Sequence, residues 1–90
     1  MGKVSCFNLY GIDCWFWSQD HRPPHFHAKK KGCWEVQVYF LKTRNDMIVR
    51  VQGGLRGRIS STDANALRDK AEQYRAELYI EWEKKVRYNA

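Results

Sequence analysis

No run of apolar residues here approaches the roughly 18 that a membrane-spanning helix needs, because charged and polar side chains interrupt every apolar stretch. An integral helical membrane protein is excluded. Cysteine is scarce: Cys6, Cys14 and Cys33 are an odd number with no Cys-x-x-Cys pair. That argues against a disulfide framework or a zinc ribbon, and leaves free thiols in a reducing cytoplasm as the simplest expectation. The two prolines are adjacent, Pro23-Pro24, and no linker, repeat or low-complexity stretch occurs, so residues 1–90 read as one domain. Met1 to Tyr10 carries one lysine and no long apolar run, so no signal peptide is expected and the placement is cytoplasmic.

Negative charge is thin in the first two thirds. Residues 1–60 hold ten Lys/Arg against four Asp/Glu, while residues 61–90 hold six of each, so the whole net charge of +6 lies before the C-terminal third. Such asymmetry raises the odds of an acidic partner, nucleic acid or protein, against the equal alternative of a basic but inert surface that serves solubility. A chain of 90 residues buries only about 60–65% of the surface its unfolded form exposes. With no disulfide to add stability, a second copy or a small partner protein is expected.

Along the chain, Ile12, Cys14 and Phe16 alternate with Asp13, Trp15 and Trp17, which predicts a strand over Gly11–Trp17. Gln19 to Lys31 is polar and contains the Pro-Pro step, and reads as a loop or edge segment. Trp34, Val36, Val38 and Phe40 alternate with polar positions and predict a second strand. After the turn at Arg44-Asn45-Asp46, Met47–Val51 predicts a third. Beyond Gly53-Gly54, Leu55–Ile59 predicts a short fourth, weakened by Gly57. Ser60-Ser61-Thr62-Asp63 has the form of a capping box. The stripe Leu67, Ala71, Tyr74, Leu78, Trp82 and Val86 then predicts one helix to about Tyr88. The expected class is α+β: a small antiparallel sheet of three to four strands with one long C-terminal helix packed across it, β-β-β-(β)-α. A helix from Ser61 to Tyr88 would be about 42 Å long at 1.5 Å per residue. That is longer than the globule beneath it, so either Leu78, Trp82 and Val86 are offered to a partner chain, or the helix curves or stops early and Trp82 closes its own core.

All three histidines lie in His21-Arg22-Pro23-Pro24-His25-Phe26-His27. Proline restrains its own φ and pushes the preceding residue out of the helical region. In an extended chain His25 and His27 share a side, and Phe26 points to the other, toward the core. Three readings compete. His21, His25 and His27 could hold a divalent transition metal, completed by Asp20, Cys14 or Cys33. The same histidines could move protons beside cationic side chains, as RNA cleavage requires. Or they hydrogen-bond to backbone and stiffen a loop, making a non-catalytic interaction module. Lys29, Lys30 and Lys31 are candidate phosphate contacts, with a solvated turn as the plainer reading. Arg56 and Arg58 could clamp an anion or protect an edge strand. Trp15 and Trp17 share a face and, if exposed, would stack bases. Cys14 fits a buried small apolar residue better than a nucleophile.

The segment Asp20-His21-Arg22-Pro23-Pro24-His25-Phe26-His27-Ala28 resembles the D-H-x-P-P-H-F-H-A hallmark of a small bacterial domain-of-unknown-function family, DUF4160. Arg75-Ala76-Glu77-Leu78 and Glu81-Trp82-Glu83 resemble the end of that family's C-terminal helix, and the likeness covers nearly the whole chain. Members are often encoded beside another small domain, and some are described as toxin components of toxin–antitoxin pairs. The resemblance carries over no settled activity, but a toxin role suits a small basic domain; joined to the histidine segment, the expectation is a bacterial toxin-like module that binds or cleaves nucleic acid through His21, His25 and His27, with a second copy or a small antitoxin-like protein as partner.

Overall fold

The computed structural model describes residues 2–51 and 57–86. Five strands form one antiparallel meander in sequence order: β1 (Gly2–Lys3), β2 (Asp13–Phe16), β3 (Phe26–Lys30), β4 (Trp34–Val38) and β5 (Ile48–Arg50). A 3-10 turn, Arg44–Asp46, precedes β5, and two helices follow, α1 (Ser61–Gln73) and α2 (Arg75–Lys85). The α+β class and antiparallel sheet stand as expected; the strand count and the single helix do not.

Alternation sorts the sheet into two faces. Cys14 pairs with Ala28 and Ala28 with Val36, so these side chains share a face. Phe16, Phe26, Trp34 and Val38 continue it, all buried. The helices cover that face with Ala64, Leu67, Ala71, Leu78, Trp82 and Val86. On the other face Lys3, Trp15, His27 and Gln37 form one row across four strands, and Asp13, Lys29 and Glu35 a second.

The segment expected as a loop or edge contains the middle strand. β3 pairs along its length with β4 and over Ala28, His27 and Lys29 with β2. Its alternation, Phe26-His27-Ala28-Lys29, is short and set between the Pro-Pro step and the run Lys29-Lys30-Lys31, which makes the whole segment read as polar. β1 also went unseen, since two residues carry no pattern. The turn into β4 puts Gly32 at φ +74°, where a glycine carries no steric cost.

The expected fourth strand and the turn at Gly53-Gly54 fall mostly outside the described residues. Residues 57–59 are not in a strand. A Cβ on Gly57 would lie 1.6 Å from the Cys33 carbonyl oxygen, so that close approach admits only glycine.

The long helix is interrupted at Tyr74, whose φ −109° and ψ 24° leave the helical region. Tyr74 packs on Phe7 there, and Arg75 Nε donates to the Phe40 carbonyl at 2.8 Å. These tertiary contacts outweigh local helix propensity. The break keeps the apolar stripe over its own sheet within a body of 33 × 28 × 22 Å. Leu78, Trp82 and Val86 are thus core residues at 0, 0 and 4% exposure, and do not overhang. Ser60 Oγ caps α1 by accepting from the Asp63 amide at 3.1 Å. The capping box is only half formed, because Asp63 Oδ2 turns to Lys30 Nζ and Trp34 Nε1, each at 3.3 Å.

Candidate metal centre

The chain leaves β2 at Phe16, loops through the Pro-Pro segment and returns as β3. This folds Asp20 back over the two residues that open the strand. Phe26 points into the core, within 5.7 Å of Phe7 and 6.3 Å of Phe40 between ring centroids. His25 and His27 flank it on the opposite side, with ring centroids 5.1 Å apart. Both are buried, at 4% and 5% exposure.

Asp20 Oδ2 lies 2.8 Å from His27 Nε2 and 3.4 Å from His25 Nε2. The first contact is a hydrogen bond; the second has ion-pair distance but no hydrogen-bond alignment, leaving His25 Nε2 buried without a partner. Burial pushes the Asp20 carboxyl up, but the two imidazoles beside it, His27 by its hydrogen bond, outweigh burial and hold the group well below the usual carboxylate range.

The tautomer of His25 follows from its other nitrogen. Nδ1 lies 2.9 Å from the Pro23 carbonyl oxygen, and a carbonyl only accepts, so Nδ1 carries the proton. In a neutral ring Nε2 then presents a lone pair to a carboxylate oxygen. Two lone pairs facing each other in a buried site repel, unless a proton or a cation sits between them. His27 Nδ1 and Trp15 Nε1 are also buried without partners. Each such group costs on the order of 1–3 kcal/mol.

Aromatic rings wall the cluster. Trp15, directly across the sheet from His27, stacks on it at 5.6 Å. Tyr39 stacks on His25 at 4.6 Å, and Trp82 from α2 lies 5.7 Å away on another side. Tyr39 and Trp82 were not singled out as neighbours of the site; only the alternation of β4 through Gln37 placed Tyr39 on this face.

The ligand atoms of Asp20, His25 and His27 all lie within 4.8 Å of one another. His21 is exposed and stands outside this group, so the expected three-histidine set becomes two histidines and a carboxylate. Cys14, on the helix-covered face, and Cys33, in the β3–β4 turn, also lie outside it. Lys29 is half-buried on the open face, Lys30 binds Asp63, and Lys31 is exposed in the turn. Arg58 is exposed and not on a strand, and Arg56 lies outside the described residues.

Fold and site together define a small α+β domain that carries a buried Asp-His-His cluster beside an open sheet face. The model of one family, Domain of unknown function (DUF4160), matches residues 11–83. The chain belongs to that family. No curated protein and no solved structure matches it.

Proposed function

We propose that this domain binds one divalent transition metal through Asp20 Oδ2, His25 Nε2 and His27 Nε2. The observation that carries the reading is His25: its Nδ1 proton is held by the Pro23 carbonyl, and its buried Nε2 faces a carboxylate oxygen at 3.4 Å with no hydrogen bond. A carbonyl behind a metal-binding histidine is the usual means of fixing the ring and its tautomer. Bonds of about 2.0–2.1 Å to nitrogen and oxygen in a tetrahedron place ligand atoms about 3.3 Å apart, close to the 3.4 Å between His25 and Asp20. The 2.8 Å between His27 and Asp20 is a hydrogen-bond distance, which would open to about 3.3 Å around an ion. Two imidazoles and a carboxylate suit zinc and its neighbours and leave a coordination position for water. The bound ion would supply a Lewis acid or an activated water there.

The depth of both imidazoles favours this over paired acid–base chemistry on a polynucleotide, which needs at least one ring in reach of a ribose hydroxyl. A toxin-like activity would then run through a water on the metal, reached from the side of Asp20, whose side chain is 16% exposed.

Isothermal titration of chelator-stripped protein with Zn²⁺ and Co²⁺ tests the reading. The expected result is one ion per chain, abolished in Asp20→Asn and in His27→Gln, with both variants still folded by circular dichroism. Wild-type protein that takes up neither ion, or folded variants that bind as the wild type does, would overturn it.

A further inference from the structure

Among the described residues, helices cover one face of the sheet and leave the other open. The uncovered face is built from β1, β2, β3 and β4, and its side chains follow from register. Lys3 stands beside Trp15, and Asp13, Lys29 and Glu35 line up across the next row. Trp17, two residues after Trp15, points the same way and is 45% exposed. Lys3, Asp13, Trp15, Trp17, Lys29 and Glu35 line an open groove of about 530 Å³. Further along, Lys42 Nζ stands 4.9 Å from the centre of the Tyr39 ring, extending the cationic border past the histidines.

Three features separate this surface from an inert one. A tryptophan half exposed on a sheet face costs solvation and stabilises nothing in the core. Trp17 is nonetheless held in place, its ring edge-on to Trp15 at 6.0 Å and 6.1 Å from His27. The neighbouring cations are spaced singly: Lys29 stands between Asp13 and Glu35 in one row, Lys3 beside Trp15 in the next, and Lys42 beyond Tyr39. A duplex presents a continuous phosphate rail, which those two carboxylates would repel. A single strand can turn its bases toward the aromatic rings and leave its phosphates to the lysines at the border. Finally, the excess of positive charge lies in the part of the chain that builds this sheet.

We infer that the open face of the sheet binds single-stranded nucleic acid, a base stacking on Trp17 over Trp15 and phosphates contacting Lys3, Lys29 and Lys42. This surface is independent of a metal at Asp20, and its test is run with the metal chelated so that the two readings fail separately.

Fluorescence anisotropy of a labelled oligo-dT twelve-mer with the full chain in EDTA is the measurement. Binding at low salt should weaken with added salt at a slope of about −2 in log–log form, from about 0.7 per neutralised phosphate and three lysines. Trp17→Ala, at an exposed position, should weaken binding by about tenfold or more, and Lys29→Gln should flatten the slope by about 0.7. Lys84→Gln on α2, across the molecule, is the charge control and should leave the slope unchanged. The inference is overturned by absence of binding at low salt, by Trp17→Ala binding as tightly as the parent, by Lys84→Gln matching Lys29→Gln, or by a duplex binding as well as the single strand.

Discussion

Glu81 on α2 holds the N-terminal segment to the body of the domain, and its removal has a calculable cost. Its carboxylate accepts from the Ser5 amide at 2.8 Å, the Cys6 amide at 2.9 Å and Lys85 Nζ at 2.6 Å. Lys85 in turn donates to the Lys3 carbonyl at 2.7 Å, so the same pair also covers the free edge of β1. Glu81→Ala leaves two amides without their acceptor. The Ser5 contact is exposed and water can replace it; the Cys6 contact is part-buried and costs about 1–3 kcal/mol when orphaned. With the lost charge-assisted bonds the total is about 2–3 kcal/mol. For a domain of this size that lowers Tm by about 8–20 °C. Glu81→Gln keeps one acceptor oxygen and should lose about half as much. The pH dependence has a definite sign. Burial raises the Glu81 carboxyl, but the bonds from Lys85, Cys6 and Ser5 outweigh it and hold it below its ordinary 4.5. Its contribution is complete above pH 4.5 and disappears as pH falls through the lowered value. Thermal melts of parent, Glu81→Ala and Glu81→Gln from pH 7 to pH 3 decide the matter. The clamp is refuted if Glu81→Ala melts within about 2 °C of the parent at pH 7, since that corresponds to under 0.5 kcal/mol.

Two further outcomes are expected. Phe26→Ala, which empties a fully buried site among Phe7, Phe16 and Phe40, should cost about 3–5 kcal/mol in urea unfolding; a midpoint equal to the parent's would show that β3 is not anchored by this ring. Burial pushes the thiols of Cys6 and Cys14 up to about 12, whereas Cys33 is exposed, so a disulfide reagent at neutral pH should modify one thiol quickly and two slowly. Three equal rates would contradict the burial of Cys14.

The strands with one apolar and one polar face were legible in the sequence. In Gly11–Trp17 and Trp34–Phe40 each alternate side chain is where the pattern put it, with Phe16, Val38 and Phe40 fully buried and Trp17 exposed. The middle strand was illegible because its alternation spans only Phe26 to Lys29, between a Pro-Pro step and three lysines, and the burial of His27 was hidden because a histidine reads as solvent-exposed in any periodicity. The helix stripe was read in the correct phase, but the interruption at Tyr74 depends on Phe7 and on the Phe40 carbonyl, both more than thirty residues away in sequence. Of the site, the pairing of His25 with His27 followed from extended geometry around Phe26. The exclusion of His21 and the return of Asp20 did not, because they depend on the path of the loop through Pro23-Pro24.

That His27 lies in the middle strand and His25 immediately before it also bears on how the domain can change over evolutionary time. A site carried on surface loops can be exchanged wholesale while the scaffold persists. Here a substitution at His27 disturbs a part-buried row that runs through Trp15 and Gln37, so altered chemistry comes with a change in the stability of a domain that still folds. Asp20 is different: it belongs to the connecting loop and is only part-buried, whereas both histidines are buried. Variation in the reactivity of this cluster among related chains is therefore open at the carboxylate and closed at the imidazoles.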